Sequence, residues 1–179
     1  MLLTYHRYQD LLVEGDVIIV YNKEKFLHKL ISYFTGRDKP RKAGHVAMYL
    51  CDKLMAEATS KGIRIKDLKK YRYPKYDLYL GRKKHLTDEE KKELQTYAIK
   101  QAGTQYSFLQ LLGLIINYFL KRSIIKDVNK KAMICSEFIC SSYKHIGKDL
   151  VPNKDCALVT PQDLLDTKEL LTIKINPPQ

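Results

Sequence analysis

The sequence predicts an α+β fold in which a small antiparallel sheet or barrel packs against helices. Three observations carry this. Strand-like runs cluster before residue 81, helical periodicity dominates after residue 87, and the two do not alternate in the βαβ manner. The chain has 179 residues, of which 45% are hydrophobic, enough to bury one core, so residues 1–179 read as a single domain.

Taken in order, Gly15-Asp16 leads into Val17-Ile18-Ile19-Val20-Tyr21, a buried strand, and Phe26, Leu27, Leu30, Ile31 and Phe34 then recur at helical spacing until Gly36. His45 to Leu50, a turn over Cys51-Asp52-Lys53, and Leu54 to Ala58 read as a hairpin, with a further strand at Tyr76 to Leu80. Thr87 and Glu90 form a capping box that opens a helix closing before Gly103. Two more helices follow, Ser107 to Leu120 and Cys135 to Ile146, the second ended by Gly147.

Charge narrows the partners. Lys and Arg total 32 against 20 Asp and Glu, a formal +12, which favours phosphate, anionic lipid or another polyanion over basic partners. The four cysteines at 51, 135, 140 and 156 show no metal-ligand or disulfide-framework spacing, so reduced thiols and no metal or other cofactor are expected. The start of the chain lacks an export-signal pattern, and the apolar run 107–120 falls short of the roughly 20 residues that span a bilayer. A cytoplasmic protein is expected.

Cys135 stands where a helical pattern begins, so its sulfur would meet the unpaired N–H groups and positive dipole end that favour a thiolate. A small buried hydrophobe is the alternative for any free cysteine. His45, after Gly44, opens a strand. With a three-residue turn in the hairpin, residues 47 and 57 face each other and Glu57 shares the His45 face, where it could hold the imidazole. With a two-residue turn the register slips by one and Glu57 points away. Histidines 6, 28, 85 and 145 have no comparable setting. Cys140, at i+5 from Cys135, is turned about 140° away from it.

Five segments together carry a family resemblance: Glu14-Gly15-Asp16-Val17-Ile18; Gly44-His45-Val46-Ala47-Met48-Tyr49; Ala56-Glu57-Ala58 with Lys61-Gly62-Ile63; Gly103-Thr104-Gln105-Tyr106-Ser107-Phe108; and Ile134-Cys135-Ser136-Glu137-Phe138. In this order, histidine before cysteine, they resemble the circularly permuted branch of the NlpC-type papain-like superfamily, the YiiX-like proteins. The likeness runs from about residue 12 to about residue 166 and includes Thr160-Pro161-Gln162-Asp163-Leu164. Ser107 departs from it, standing where the family often has an Asp.

The resemblance implies a circularly permuted papain-like fold and a cysteine-dependent amide or ester hydrolase or acyltransferase. Cys135 would be the nucleophile, His45 the general base, and Glu57 the residue that orients it. Tyr106 and Ser136 would lie at the oxyanion or substrate, beside the Cys135 backbone N–H. The partner would be a small-molecule, peptide or lipid acyl substrate. The apolar run from Tyr106 to Leu120, ending in Lys121-Arg122, reads first as a helix buried in the core; the alternative is that one side lines an acyl-chain groove opening on an anionic membrane.

A different class of function competes. Residues 61–92 hold twelve Lys or Arg against five acidic residues, interleaved with Tyr71, Tyr73, Tyr76 and Tyr79. That composition suits a noncatalytic basic module on an anionic surface or polymer. No nucleic-acid motif accompanies it, and a solvated basic face beside a strand accounts for it equally, so no nucleic-acid partner is expected.

Overall fold

The computed structural model describes residues 9–36, 38–107 and 132–175. Its centre is a six-stranded sheet in the order β4 (Gly62–Asp67), β3 (Leu54–Thr59), β2 (His45–Cys51), β1 (Val17–Asn22), β5 (Tyr76–Arg82) and β8 (Leu171–Ile175), with antiparallel neighbours throughout. Strand β1 (Val17–Asn22) is apolar on both faces because it lies between β2 (His45–Cys51) and β5 (Tyr76–Arg82) with core above and below; Val17 through Val20 are fully buried. Helix α1 (Phe26–Gly36) follows directly, and Asn22 turns the chain into it by accepting the backbone N–H groups of Glu24 and Lys25 at 2.9 and 3.1 Å.

The hairpin resolves into β2 and β3 (Leu54–Thr59). Strand β4 (Gly62–Asp67) then pairs with β3. Sequence reasoning missed it because its outer residues, Arg64 and Lys66, read as part of a charge run. They are the exposed face of an edge strand, a position where charge discourages further pairing. A short 3₁₀ helix, Leu68–Tyr71, capped by the Asp67 side chain on Lys69 N–H, leads back toward β5.

The predicted capping box is present: Thr87 and Glu90 exchange side-chain and backbone hydrogen bonds and open α2 (Asp88–Gln101). Two-residue strands β6 (Gln105–Tyr106) and β7 (Ala132–Met133) pair in parallel. Helix α3 (Cys135–His145) ends before Gly147, which takes the expected left-handed conformation at φ 71°. Thr160 and Asp163 form a second capping box at α4 (Pro161–Asp166), and β8 (Leu171–Ile175) returns to pair with β5. That late strand corrects the expectation that strands cluster early: Leu-Thr-Ile-Lys-Ile alternates apolar and polar residues strictly, but the run is only five residues long, and as an edge strand it leaves most of them exposed. The predicted helix from Ser107 to Leu120, and the groove built on it, fall almost wholly on residues 108–131, outside the described residues. Among the described residues, no helix is long and apolar enough to cross a membrane.

The sheet is buried on both faces. On one, Val46, Met48, Ala56 and Ala58 meet α2, α3 and α4 through Leu94, Phe138, Ile139 and Leu164. On the other, Ala47, Tyr49 and Met55 pack with Leu68, Tyr71 and Tyr76. The expectation of four reduced cysteines is corrected here: Cys140 and Cys156 form a disulfide in the first core, leaving Cys51 and Cys135 free. Sequence spacing hid it because a separation of 16 residues carries no framework signature, and only the docking of the 3₁₀ turn Cys156–Leu158 on α3 brings the sulfurs together. In the chain-entropy account, a loop of this length stabilises the fold by about 3 kcal/mol. Urea unfolding of the Cys156→Ala variant should therefore show a stability loss of that order, also seen when the unaltered protein is reduced; an unchanged midpoint in both would show that the bond does not constrain the chain.

Candidate active site

The hairpin decides where the first pair of residues stands. Asp52 and Lys53 both adopt left-handed backbone, at φ 46° and 65°, so the loop is a tight two-residue turn. By itself that turn would have put Glu57 on the wrong face. A bulge between Tyr49 and Cys51 restores the register to Met48↔Ala56 and Tyr49↔Met55, so Glu57 returns to the face of His45 and Ala47. The His45 Nε2 to Glu57 Oε2 distance is 2.9 Å.

With Nε2 held by Glu57, Nδ1 is the ring nitrogen left for the Cys135 thiol, and the two side chains are hydrogen-bonded. Cys135 is the first residue of α3 and 4% exposed. Its sulfur also accepts hydrogen bonds from the backbones of Ser136 and Val46, the first of them one of the helix-start N–H groups that have no partner within the helix. Helix α3 is fixed on its far side by Tyr143, whose hydroxyl donates to the Gly15 carbonyl at 2.6 Å. The loop ahead of His45 is fixed by buried Gln162, which accepts the Ala43 N–H and donates to the Arg41 carbonyl, both at 3.2 Å.

Sequence reasoning missed two residues that complete the site. Glu57 is 1% exposed and takes donors on both oxygens: Lys70 Nζ at 2.5 Å on Oε1 and the Tyr71 hydroxyl at 2.7 Å on Oε2, beside the imidazole. Both come from the 3₁₀ helix after β4, inside the run that composition alone assigned to a solvated basic face. Of that run's four tyrosines, Tyr71, Tyr76 and Tyr79 are buried and only Tyr73 is exposed.

The charges reinforce one another. Burial pushes the Glu57 carboxyl up, but His45 and Lys70 overcome it and hold the group well below the usual carboxylate range. Burial likewise pushes His45 down, yet the hydrogen bonds and charges of Cys135 and Glu57 raise it to about 9. Burial would raise the Cys135 thiol; the His45 charge and hydrogen bond, with the two backbone contacts, bring it below its ordinary value. The same contacts thus favour the thiolate of Cys135 and the imidazolium of His45 together.

Around the pair lies a cleft that also exposes Lys25, Lys70, Thr59 and Tyr106. Tyr106, half-buried and on β6, lines the cleft with Cys135, and burial followed by the Cys135 charge raises its hydroxyl pKa. Ser136 does not line it. Its hydroxyl is fully buried and donates to the Val159 carbonyl at 2.5 Å, so only its backbone serves the site. The view that His28 lacks a comparable setting is also corrected: its ring lines the cleft with its centroid 6.0 Å from that of His45. Gly44 makes this possible, since a Cβ there would sit 2.8 Å from the His28 Cβ.

The chain shares its fold with YiiX. The metalloprotein YiiX from Escherichia coli O157:H7 is similar with a TM-score of 0.62 and 16% sequence identity, over 92% of this chain and 98% of that one. No family model matches the sequence, and no curated protein does.

Iodoacetamide provides the direct check on the thiolate. Cys135 should be alkylated well before Cys51 at pH 6, and its rate should hold down to pH values far below the free-thiol pKa of about 8.5. In His45→Ala the profile should move back toward that value and the rate at pH 6 should drop by about a hundredfold. Equal rates for Cys51 and Cys135, unmoved by the substitution, would contradict the ion pair.

Proposed function

We propose that the protein is a cysteine-dependent hydrolase or acyltransferase acting on amides or esters, built on a circularly permuted papain-like arrangement. One observation carries the reading: a buried cysteine at a helix start is hydrogen-bonded to a histidine whose other nitrogen is held by a buried carboxylate. The order of the chain, His45 and Glu57 on adjacent strands before Cys135 on its helix, is that of the permuted branch.

Chemistry follows from the charges. The Cys135 thiolate attacks the acyl carbon, a C–S bond forms, and the carbonyl electron pair moves to oxygen. The Cys135 N–H at the start of α3, with the Tyr106 hydroxyl, supplies donors to that oxyanion. Collapse expels the leaving amine or alkoxide, which takes the proton from His45, and a thioester remains on Cys135. His45, now neutral, removes a proton from water or from an acceptor nucleophile as that group attacks the thioester, and the thiolate is released. Glu57 stays ionised throughout, holding the ring in position and stabilising its charged form.

The fold neighbour is described as a metalloprotein. Among the described residues of this chain, no group of three His, Cys, Asp or Glu side chains is placed to hold a metal ion, and His45 and Glu57 have turned their facing atoms to each other. The donor set does not fit a metal, and no step is routed through one. The alternative of a basic binding module loses three of its four stacking aromatics with the burial of Tyr71, Tyr76 and Tyr79.

Turnover of 4-nitrophenyl acetate tests the reading. A burst of nitrophenolate should accompany one acetyl adduct on Cys135, vanish in Cys135→Ala, and slow by about 10² to 10⁴ in His45→Ala. With an amide substrate, whose amine must leave protonated, His45 raised to about 9 can supply that proton below this pH and not above it, so the alkaline limb of acylation should fall near 9. Glu57→Gln should move that limb downward. A burst that survives Cys135→Ala would overturn the proposal.

A further inference from the structure

Asn22 ends β1 and donates its backbone N–H to His28 Nδ1 at 3.1 Å. That contact fixes the tautomer: with Nδ1 accepting, the neutral ring carries its proton on Nε2. Nothing in the described structure takes that proton. No residue is hydrogen-bonded to Nε2, nor is Nε2 among the buried polar atoms sealed away without a partner, and the ring lines the cleft. Burial, and next the charges of His45, Lys25 and Lys70, lower the His28 pKa to about 3, so the ring stays neutral beside the imidazolium. Gly44 lets the first atoms of the His28 side chain pack close, since a Cβ there would lie 2.8 Å from the His28 Cβ and 2.9 Å from its Cγ.

We propose that His28 is a substrate-binding residue whose Nε2–H takes a hydrogen-bond acceptor carried by the leaving group of the acyl substrate. This rests on the acyl-transfer reading above. The assignment to the leaving group follows from position. His28 stands beside His45, and His45 is the group that hands a proton to the departing atom. An acceptor on that fragment, such as the carbonyl of an amide one or two bonds beyond the scissile atom, would meet a donor already aimed and already neutral, with no reorganisation on binding. The substrate class is thereby narrowed to amides or esters whose departing portion is itself polar.

Two thioesters with the same acyl group make the test. In S-acetyl-N-acetylcysteamine the departing thiol carries an amide; in S-ethyl thioacetate it carries none. With either, the Cys135 thiolate forms a new C–S bond, the bond to the departing sulfur breaks with its electron pair, and that sulfur takes the His45 proton. Relative to N-acetylcysteine in solution, Cys135 should prefer the amide-bearing thioester by roughly three- to tenfold, the worth of one neutral hydrogen bond. His28→Phe, which keeps the ring and removes the donor, should abolish that preference. His28→Gln, whose amide nitrogen reaches the place of Nε2, should recover most of it. A preference retained in His28→Phe would overturn the inference, as would both variants slowing the two thioesters equally, the behaviour of a packing residue. If unaltered Cys135 is acetylated by neither reagent, the acyl-transfer reading itself fails and this inference falls with it.

Discussion

A carboxylate with 1% of its surface exposed is the constraint on which the site depends. Burying Glu57 ionised is tolerable only if its oxygens are fully answered, because an unpaired charge in a dry interior costs several kcal/mol. The chain answers it from three directions: the imidazole of β2, the Tyr71 hydroxyl and the Lys70 ammonium. Each donor imposes a demand on local structure. The β2–β3 bulge exists on the sheet face that His45 needs, and the Asp67 cap on the 3₁₀ helix turns Lys70 and Tyr71 inward together. Removing any one would leave the others holding a charge without enough partners.

From that anchor the reactive end follows. An ionised Glu57 helps raise the His45 pKa, and a charged His45 lowers that of the Cys135 thiol against its own burial. Position matters as much as charge, and here α3 is held rigidly. Its first turn hangs from the Val159 carbonyl through Ser136, its middle from the disulfide Cys140–Cys156, and its last turn from the Gly15 carbonyl through Tyr143. A thiol on so constrained a helix keeps its geometry by itself.

Much of this was legible in the sequence, and the failures have physical causes. The helix-start cysteine, the strand-start histidine and the capping box at Thr87 were readable because each rests on local chemistry that the residue types themselves specify. The partnership of His45 with Glu57 was only half readable: a two-residue turn and a bulge have opposite effects on register, and the bulge leaves no mark in composition. Lys70, Tyr71 and His28 were invisible because their roles come from long-range packing; in sequence the first two are indistinguishable from their basic and aromatic neighbours. The direction of the Ser136 side chain was unreadable for another reason, since adjacency to Cys135 says nothing about which side of a helix a residue faces. Shared fold with YiiX at 16% identity fixes none of these roles, because chemistry lives in the site and not in the architecture.

The central claim is that His45 is an imidazolium at neutral pH, held so by the buried Glu57 and the Cys135 thiolate. Titration of the His45 ring by NMR, with nitrogen-labelled histidine, measures this without any substrate. The account predicts that His45 stays doubly protonated through pH 7 and loses its proton near 9, and that the value falls in Glu57→Gln and in Cys135→Ala. A His45 that titrates near the ordinary value of about 6.5 in the unaltered protein, indifferent to both substitutions, would contradict it.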